Sequence, residues 1–482
     1  MIKAKHLYLK VVTACMFIGA MNSCADDDSF TSSSSNLLSF SADTVKLDTV
    51  FSNVPSAMRS LWVYNNSGDG LRCRSVRLER GAESGFRVNV DGTYLGEAQG
   101  YSTTDVEVRK QDSIRVFIEL TSPSNFMDTP SLNEDQLVFT LESGVEQRVS
   151  LQAYSWDATL LRNVRIDRDS TLSTDGRPMV IYGGIRVDSA ATLSIAAGTT
   201  LYFHHDAGIN VYGRLRTLGT ASNNVVLRGD RIDRMFDYLP YDFVPGQWQG
   251  IRFFNSSTEN ELKYTDIHST YNGVVIDSTD VSSRKLTMGN VTIHNCQGYG
   301  LQASYAKMVI YNTQITNTLG DCMRVDGGDV EMNNCTLAQF YPFDSKRGVA
   351  LRFSNKYPLL NLTVANTLVT GYADDQLMGE RKDSTTKFNY NFSYSIIRTP
   401  RVTTADSVNF NKVIYEDVKD TLNSGDKHFV RIDNDSLRYD FRLDSVSLAI
   451  DKANALSACP KDRHGKMRDR LPDIGAYEYV KP

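Results

Sequence analysis

From about residue 160 the apolar residues of this chain come in pairs two apart. Leu193/Ile195, Leu201/Phe203, Ile209/Val211 and Val225/Leu227 are examples, with Gly, Asn, Asp or Thr between the pairs. Residues two apart share one face of a strand, so each pair predicts a short strand with one buried face. Further along, the strands fall into register. Positions at offsets 0, 2, 4 and 7 read Leu286, Met288, Asn290, Ile293 and then Met308, Ile310, Asn312, Ile315. The same offsets give Val330, Met332, Asn334, Leu337 and then Leu362, Val364, Asn366, Val369. The Asn recurs at spacings of 22, 22 and 32 residues. The register extends outward as Asn260, Leu262, Tyr264, Ile267 and as Tyr390, Phe392, Tyr394, Ile397.

A period of this size predicts a solenoid. One turn is too small to bury its own apolar side, so turns must stack. Strands this short, with Asn and Gly at the corners, predict a parallel β-helix whose neighbouring turns pair about 4.8 Å apart. Asn290, Asn312, Asn334 and Asn366 then stand in one column, where their amides are expected to bond to one another as a ladder. Tyr264 and Tyr394 take over at its two ends.

The pattern before residue 159 is different. "SLWVYNNSGDGLRCRSVRL" (60–78) predicts a strand, an Asn/Gly/Asp-rich turn and a strand. "DVEVRKQDSIRVFIEL" (105–120) predicts a hairpin, with Val106 and Val108 alternating on one arm and Ile114, Val116, Ile118 and Leu120 on the other. Residues 136–158 predict a second hairpin turning at Glu142–Gly144. Short alternating strands at this spacing predict an immunoglobulin-like β-sandwich over residues 38–158.

The first residues carry a different signal. Lys3, Lys5 and Lys10 precede an apolar stretch, "VVTACMFIGA" (11–20), that is too short to span a bilayer. Ser23 and Cys24 follow. This layout resembles the lipobox of a bacterial lipoprotein, which implies cleavage after residue 23 and a diacylglycerol on Cys24. Residues 25–36, "ADDDSFTSSSSN", are too polar for a core and read as a tether. The acidic run Asp26–Asp28 resembles a surface-export signal of such lipoproteins. The expected location is therefore the outer membrane, lipid-anchored and facing the exterior.

Composition narrows the classes. Net charge is −5, and removal of the three lysines with the signal makes it −8, which argues against a nucleic-acid surface. Cys73, Cys296, Cys322, Cys335 and Cys459 form no metal-ligand spacing and are odd in number, so they read as small buried apolar residues. There is no P-loop and no nucleotide fingerprint. Nothing in the pattern specifies an oligomeric state.

"PGQWQGIRF" (245–253) and "PDIGAYEY" (472–479), with "DFRL" (440–443) and "AIDK" (449–452), resemble segments of bacterial β-helix lipoproteins. Residues 159–435 thus resemble the right-handed parallel β-helix family, the pectin-lyase-like superfamily. The resemblance implies an all-β chain: signal 1–23, tether 24–37, β-sandwich 38–158, right-handed β-helix 159–435 and closing segment 436–482. The closing segment is expected to cap the last open turn against edge-to-edge pairing. Such motifs identify architecture and leave activity open.

Candidate chemistry follows from alternation. If Val274, Leu301, Met323 and Leu351 point inward, then Val275, Gln302, Arg324 and Arg352 point outward. Two Arg on adjacent turns repel unless something negative lies between them. One reading is a groove in which Arg324 and Arg352, beside Asp321 and Asp326, grip an acidic polysaccharide. The other is a surface ion-pair cluster among the same four residues. After the inward Ile267 and Ile293 come His268 and His294, which could meet a metal or a sugar hydroxyl. With no third ligand at a recognisable spacing, solvent exposure and no metal are expected. The insertion 228–248 carries Phe236, Tyr238, Tyr241, Phe243 and Trp248, either a platform for sugar faces or a cover on the solenoid flank.

The functional expectation is a surface lipoprotein whose β-helix binds extended polysaccharide, with no cofactor. Alternatives are a polysaccharide lyase or glycosidase, for which the resemblance adds calcium, and a structural or adhesive surface protein. No catalytic residue is assigned, because no family motif matches residue by residue.

Overall fold

The computed structural model of the chain describes residues 29–174 and 176–481. The signal, Cys24 and Asp26–Asp28 lie outside the described residues. The chain divides into two compact units, one reaching Ser124 and taking in Ser131–Ser155, the other comprising Asn125–Pro130 and Trp156 onward.

The first unit is a sandwich of two five-stranded sheets. One sheet orders Ser39–Phe40, Arg59–Tyr64, Ser113–Leu120, Phe86–Val90 and Thr93–Tyr94. The other orders Thr44–Phe51, Glu146–Trp156, Ser131–Leu141, Leu71–Leu78 and Ser102–Val108. Alternate residues of both sheets meet in one core, including Val63, Val116 and Ile118 from the first and Val76, Leu137 and Val149 from the second, all fully buried. The hairpin expected at 136–158 is present, with Leu137 opposite Val149. The one expected at 105–120 is not. Its two arms belong to opposite sheets, Val106 pairing with Cys73 and Val116 with Leu61. Alternation identifies strands but leaves their partners open, because both arms bury one face either way.

The second unit is built on a 25-stranded parallel sheet coiled as a β-helix. Each turn pairs with the next in the register the apolar pattern predicts. Leu286, Met308, Val330 and Leu362 are successive partners, as are Met288, Ile310, Met332, Val364 and Phe392. Ile267, Ile293, Ile315, Leu337, Val369 and Ile397 form a third row. These rows point inward and are at most 2% exposed, so stacking removes from water what one turn cannot.

The Asn column sits at a corner where the backbone enters the left-handed region. Asn290, Asn312, Asn334 and Asn366 have φ between 48° and 58°, and Tyr264 and Tyr394 have φ of 45°. Asn tolerates this conformation better than most residues. Each Asn backbone N–H donates to a carbonyl one turn on, at 3.1 Å. The side chains do not form the expected ladder. Asn290 Nδ2 donates to Asp462 O (2.8 Å), Asn312 Nδ2 to Lys461 O (2.7 Å) and Asn334 Nδ2 to Asp473 O (3.3 Å). Asn366 Oδ1 accepts from Asn454 N–H (2.8 Å) and Asn334 Oδ1 from Cys459 N–H (2.8 Å). The amides hold the C-terminal segment, whose irregular backbone needs partners that a strand finds in its neighbours.

That segment packs on Ile414 of the last strand pair and is not confined to the last turn. It runs along the flank of the solenoid across several turns. Phe441, Leu443, Ala449, Ile474, Ala476 and Tyr477 pack on Ala338, Leu368 and Ile396. These three stand next to the inward Leu337, Val369 and Ile397, so alternation points them outward. An outward row that turns apolar needs a cover, and the closing segment supplies it. Among the described residues no helix is long and apolar enough to cross a membrane.

Candidate functional site

The second strand of each turn presents one outward side chain between two buried ones. Arg186, Asn210, Arg252, Val275, Gln302 and Arg324 are successive partners, and Arg352 follows. The strands that carry them are held by full burial of the flanking rows, for example Leu301 and Ala303 around Gln302. The register aligns guanidinium, amide and aliphatic side chains at one turn per step.

Part of this face is a polar groove of about 520 Å³, lined by Asp206, Asn210, Gln249, Arg252, Asn272, Asp277, Gln302 and Ser304 among others. Arg252 donates from Nε and Nη2 to the two carboxylate oxygens of Asp277 on the next turn (3.2 and 3.1 Å). Its guanidinium also lies 4.8 Å over the Phe254 ring, which stacks on Tyr212 at 4.1 Å. The fork is thereby fixed in orientation on both sides.

Arg324 and Arg352 do not share an anion between them. Arg324 Nε donates to Asp326 Oδ2 at 2.9 Å, and Asp326 also accepts from Ser354 Oγ at 2.7 Å. Arg352 donates from Nε and Nη2 to Asp321 (2.8 and 3.2 Å) and from Nη1 to Glu380 Oε1 (2.7 Å). Asp321 and Asp326 are each 3% exposed, so these charges need their arginines. The repulsion inferred from sequence is met from within the chain, as the ion-pair reading of these four residues expects.

The histidines lie on the third strand of each turn, and His268 is not solvent-exposed. Its ring is buried, stacked on His294 with centroids 4.7 Å apart. His268 Nδ1 bonds Asp266 Oδ1 at 2.7 Å and Nε2 bonds Asp242 Oδ1 at 2.9 Å. His294 Nε2 lies 3.3 Å from Asp266 Oδ1. The third member missed in sequence is Asp266, two residues before His268 and so on the same face. Asp242 comes from the 228–248 insertion and had no sequence signal.

Ligand atoms of Asp266, His268 and His294 lie within 4.8 Å of one another. Burial would lower the His268 pKa, but Asp266 and Asp242 outweigh it and raise it to about 9. Burial also opposes ionisation of Asp266, yet His294 and His268 hold its carboxyl well below the usual range. With its proton bound, the His268 ring donates from both nitrogens, so a metal here would have to displace that proton. The cluster is a hydrogen-bonded chain, Asp242, His268, Asp266, His294.

Trp248 is fully buried, which corrects its place in a sugar platform. It stacks on Phe203 at 4.2 Å, and its Nε1 donates to His268 O at 2.8 Å. Of the same insertion, Phe236 and Tyr238 are exposed and stack on each other at 5.7 Å.

Fold and site together define an all-β chain with a parallel β-helix bearing a long polar outer face. No protein-family model matches the chain, and no curated protein matches it. Among solved structures it is similar to a protein of unknown function from Porphyromonas gingivalis, with 15% identity over 27% of this chain and a TM-score of 0.19. The match spans 59% of that protein. The catalytic unit of a thermostable GH87 alpha-1,3-glucanase from Streptomyces thermodiastaticus is 12% identical over 73% of this chain and 88% of its own, at a TM-score of 0.20. Dex49A from Penicillium minioluteum is 9% identical over 76% and 82%, at 0.17. At these TM-scores the fold rests on the strand register alone.

Proposed function

We propose that the solenoid binds an extended, uncharged polysaccharide along the groove around Arg252. The observation that carries this reading is one open groove lined over four adjacent turns by Asn210, by Arg252, by Asp277 beside Val275, and by Gln302 with Ser304. Amide, hydroxyl and paired guanidinium–carboxylate groups at a regular step match a chain of hydroxyl groups at a regular step. Arg186, Arg252, Arg324 and Arg352 each have a carboxylate, so a neutral chain meets balanced donors and acceptors, while an acidic one also meets Asp206, which forms no ion pair with a Lys or Arg among the described residues.

In this reading Cys24 carries the lipid anchor, the outer membrane is the site of action, and the sandwich is a spacer. The test is retention of the purified protein on immobilised neutral and acidic glycans. Retention on at least one neutral glycan, lost in Arg252→Ala and Gln302→Ala, is expected. Retention on pectin or alginate alone, or on no glycan, rejects the proposal. Release of shortened or unsaturated products would replace binding by catalysis.

A further inference from the structure

A second pocket, of about 390 Å³, lies between the third-strand face and the C-terminal segment. Asp266, His294, Gln314 and Asn317 line it from the solenoid, and Arg442, Arg463 and Tyr477 from the segment. Two groups in it are only partly satisfied within the chain; the first, Arg463, has a contact with the Tyr264 ring at 5.9 Å but no anion.

Arg463 is 4% exposed, yet its hydrogen bonds go to neutral groups. Nε donates to Thr292 Oγ1 at 3.1 Å, and Nη1 and Nη2 both donate to Asn224 Oδ1 at 3.2 Å. A guanidinium has five N–H donors, so one on each terminal nitrogen is left over. Among the described residues no carboxylate forms an ion pair with it. The pocket's own carboxylates are engaged elsewhere: Asp266 by His268 and His294, and Asp440 by Arg442 through bonds of 2.5 to 3.1 Å. A buried cation without an anion is costly, and an incoming anion removes that cost.

The second feature is Asn317. It is 1% exposed, it lines the same pocket, and its Oδ1 has no hydrogen-bond partner among the described residues. A buried carbonyl oxygen of this kind calls for a donor from outside the chain. Its φ of 52° shows that the backbone holds it in place through a left-handed corner.

We infer that this pocket binds a small hydroxylated anion, with its carboxylate or phosphate on Arg463 and a hydroxyl donated to Asn317 Oδ1. The volume suits a ligand of about one sugar residue. This site is separate from the Arg252 groove and does not depend on it.

Calorimetric titration of the purified protein with glucuronate, glucose 6-phosphate, inorganic phosphate and glucose tests the inference. At least one of the two hydroxylated anions binds, at least about tenfold tighter than inorganic phosphate or glucose. Which of the two is tighter distinguishes a carboxylate from a phosphate source. Asn317→Gly keeps the left-handed corner while deleting the amide, and Arg463→Gln deletes the charge. Each weakens binding at least about tenfold, while Arg252→Ala leaves it unchanged. Failure of both anions to bind overturns the inference. So does glucose binding as tightly as the anions, or inorganic phosphate doing so. So does binding that survives Asn317→Gly, a variant whose fold can be checked by its thermal transition.

Discussion

Asn366 presents its backbone carbonyl to the N–H of Gly475 at 2.9 Å, tying a corner of the solenoid to a residue near the end of the chain. Gly475 has φ of 106°, and a Cβ there would come within 2.9 Å of Thr336 Oγ1. Both facts exclude a side chain. Gly475→Ala is expected to cost about 2 kcal/mol of unfolding free energy. It should also open the C-terminal segment to protease before the solenoid unfolds. Denaturant titration and limited proteolysis check the two parts separately.

The Asn corner separates strain from bonding. Asn334 is fully buried, with φ of 50° and both ends of its amide bonded to the segment. Asn334→Gly removes the two bonds and keeps the conformation. Asn334→Ala removes the bonds and adds a left-handed alanine. The second variant should be less stable than the first by about 1 kcal/mol. Equal stabilities would mean that the corner relaxes out of the left-handed region.

How much of this was legible beforehand divides along a physical line. The inward rows follow from period-2 alternation, which burial enforces locally, so Met288, Ile310 and Met332 could be aligned by eye. The Asn column was visible for the same reason. What its amides bond to was not, because Asp462, Lys461 and Asp473 reach it from far along the chain and no local pattern reports that approach. Asp266 beside His268 was legible in "TDIH" once both are placed on one face. Asp242 and Arg463 were not, since loop and tail positions carry no periodicity, and nothing local reports that Asn317, on the strand Gln314–Thr318, has an amide oxygen without a partner. Trp248 misled because an aromatic residue in an insertion reads alike whether it faces water or the core.

The ion pairs of the outer face are unequal. Asp326 is 3% exposed, whereas the side chains of Arg252 and Asp277 are 52% and 19% exposed. Arg324→Ala leaves a buried carboxylate with Ser354 as its remaining side-chain donor. It should cost about 2 kcal/mol, and Asp326→Asn in the same background should recover part of that. Arg252→Ala should cost less than about 1 kcal/mol. Urea unfolding of the three variants gives the ordering. An Arg324→Ala protein as stable as the wild type would place Asp326 in contact with water.

The pH dependence carries the sign of His268. Its pKa is raised from 6.5 unfolded to about 9 folded by Asp266 and Asp242 against burial. The folded state therefore binds the proton more tightly. The resulting stability is complete below pH 6.5 and is lost as pH rises through about 9. The loss should be on the order of 1–3 kcal/mol. Asp266 and Asp242 are shifted downward, so their contribution is present above pH 3.8 and lost as pH falls through their folded pKa values, about 2 for Asp242. Lys285 has the opposite slope to His268. Burial lowers its pKa to about 8, so its cost fades as pH rises from there towards 10.5. The wild-type profile alone would mix the two slopes. Comparison with His268→Gln isolates the first: the difference in unfolding free energy between wild type and variant should shrink steadily from about pH 6 to about pH 9. A difference constant across that range would show that His268 is neutral in the folded protein, and would leave its second nitrogen free to accept rather than donate.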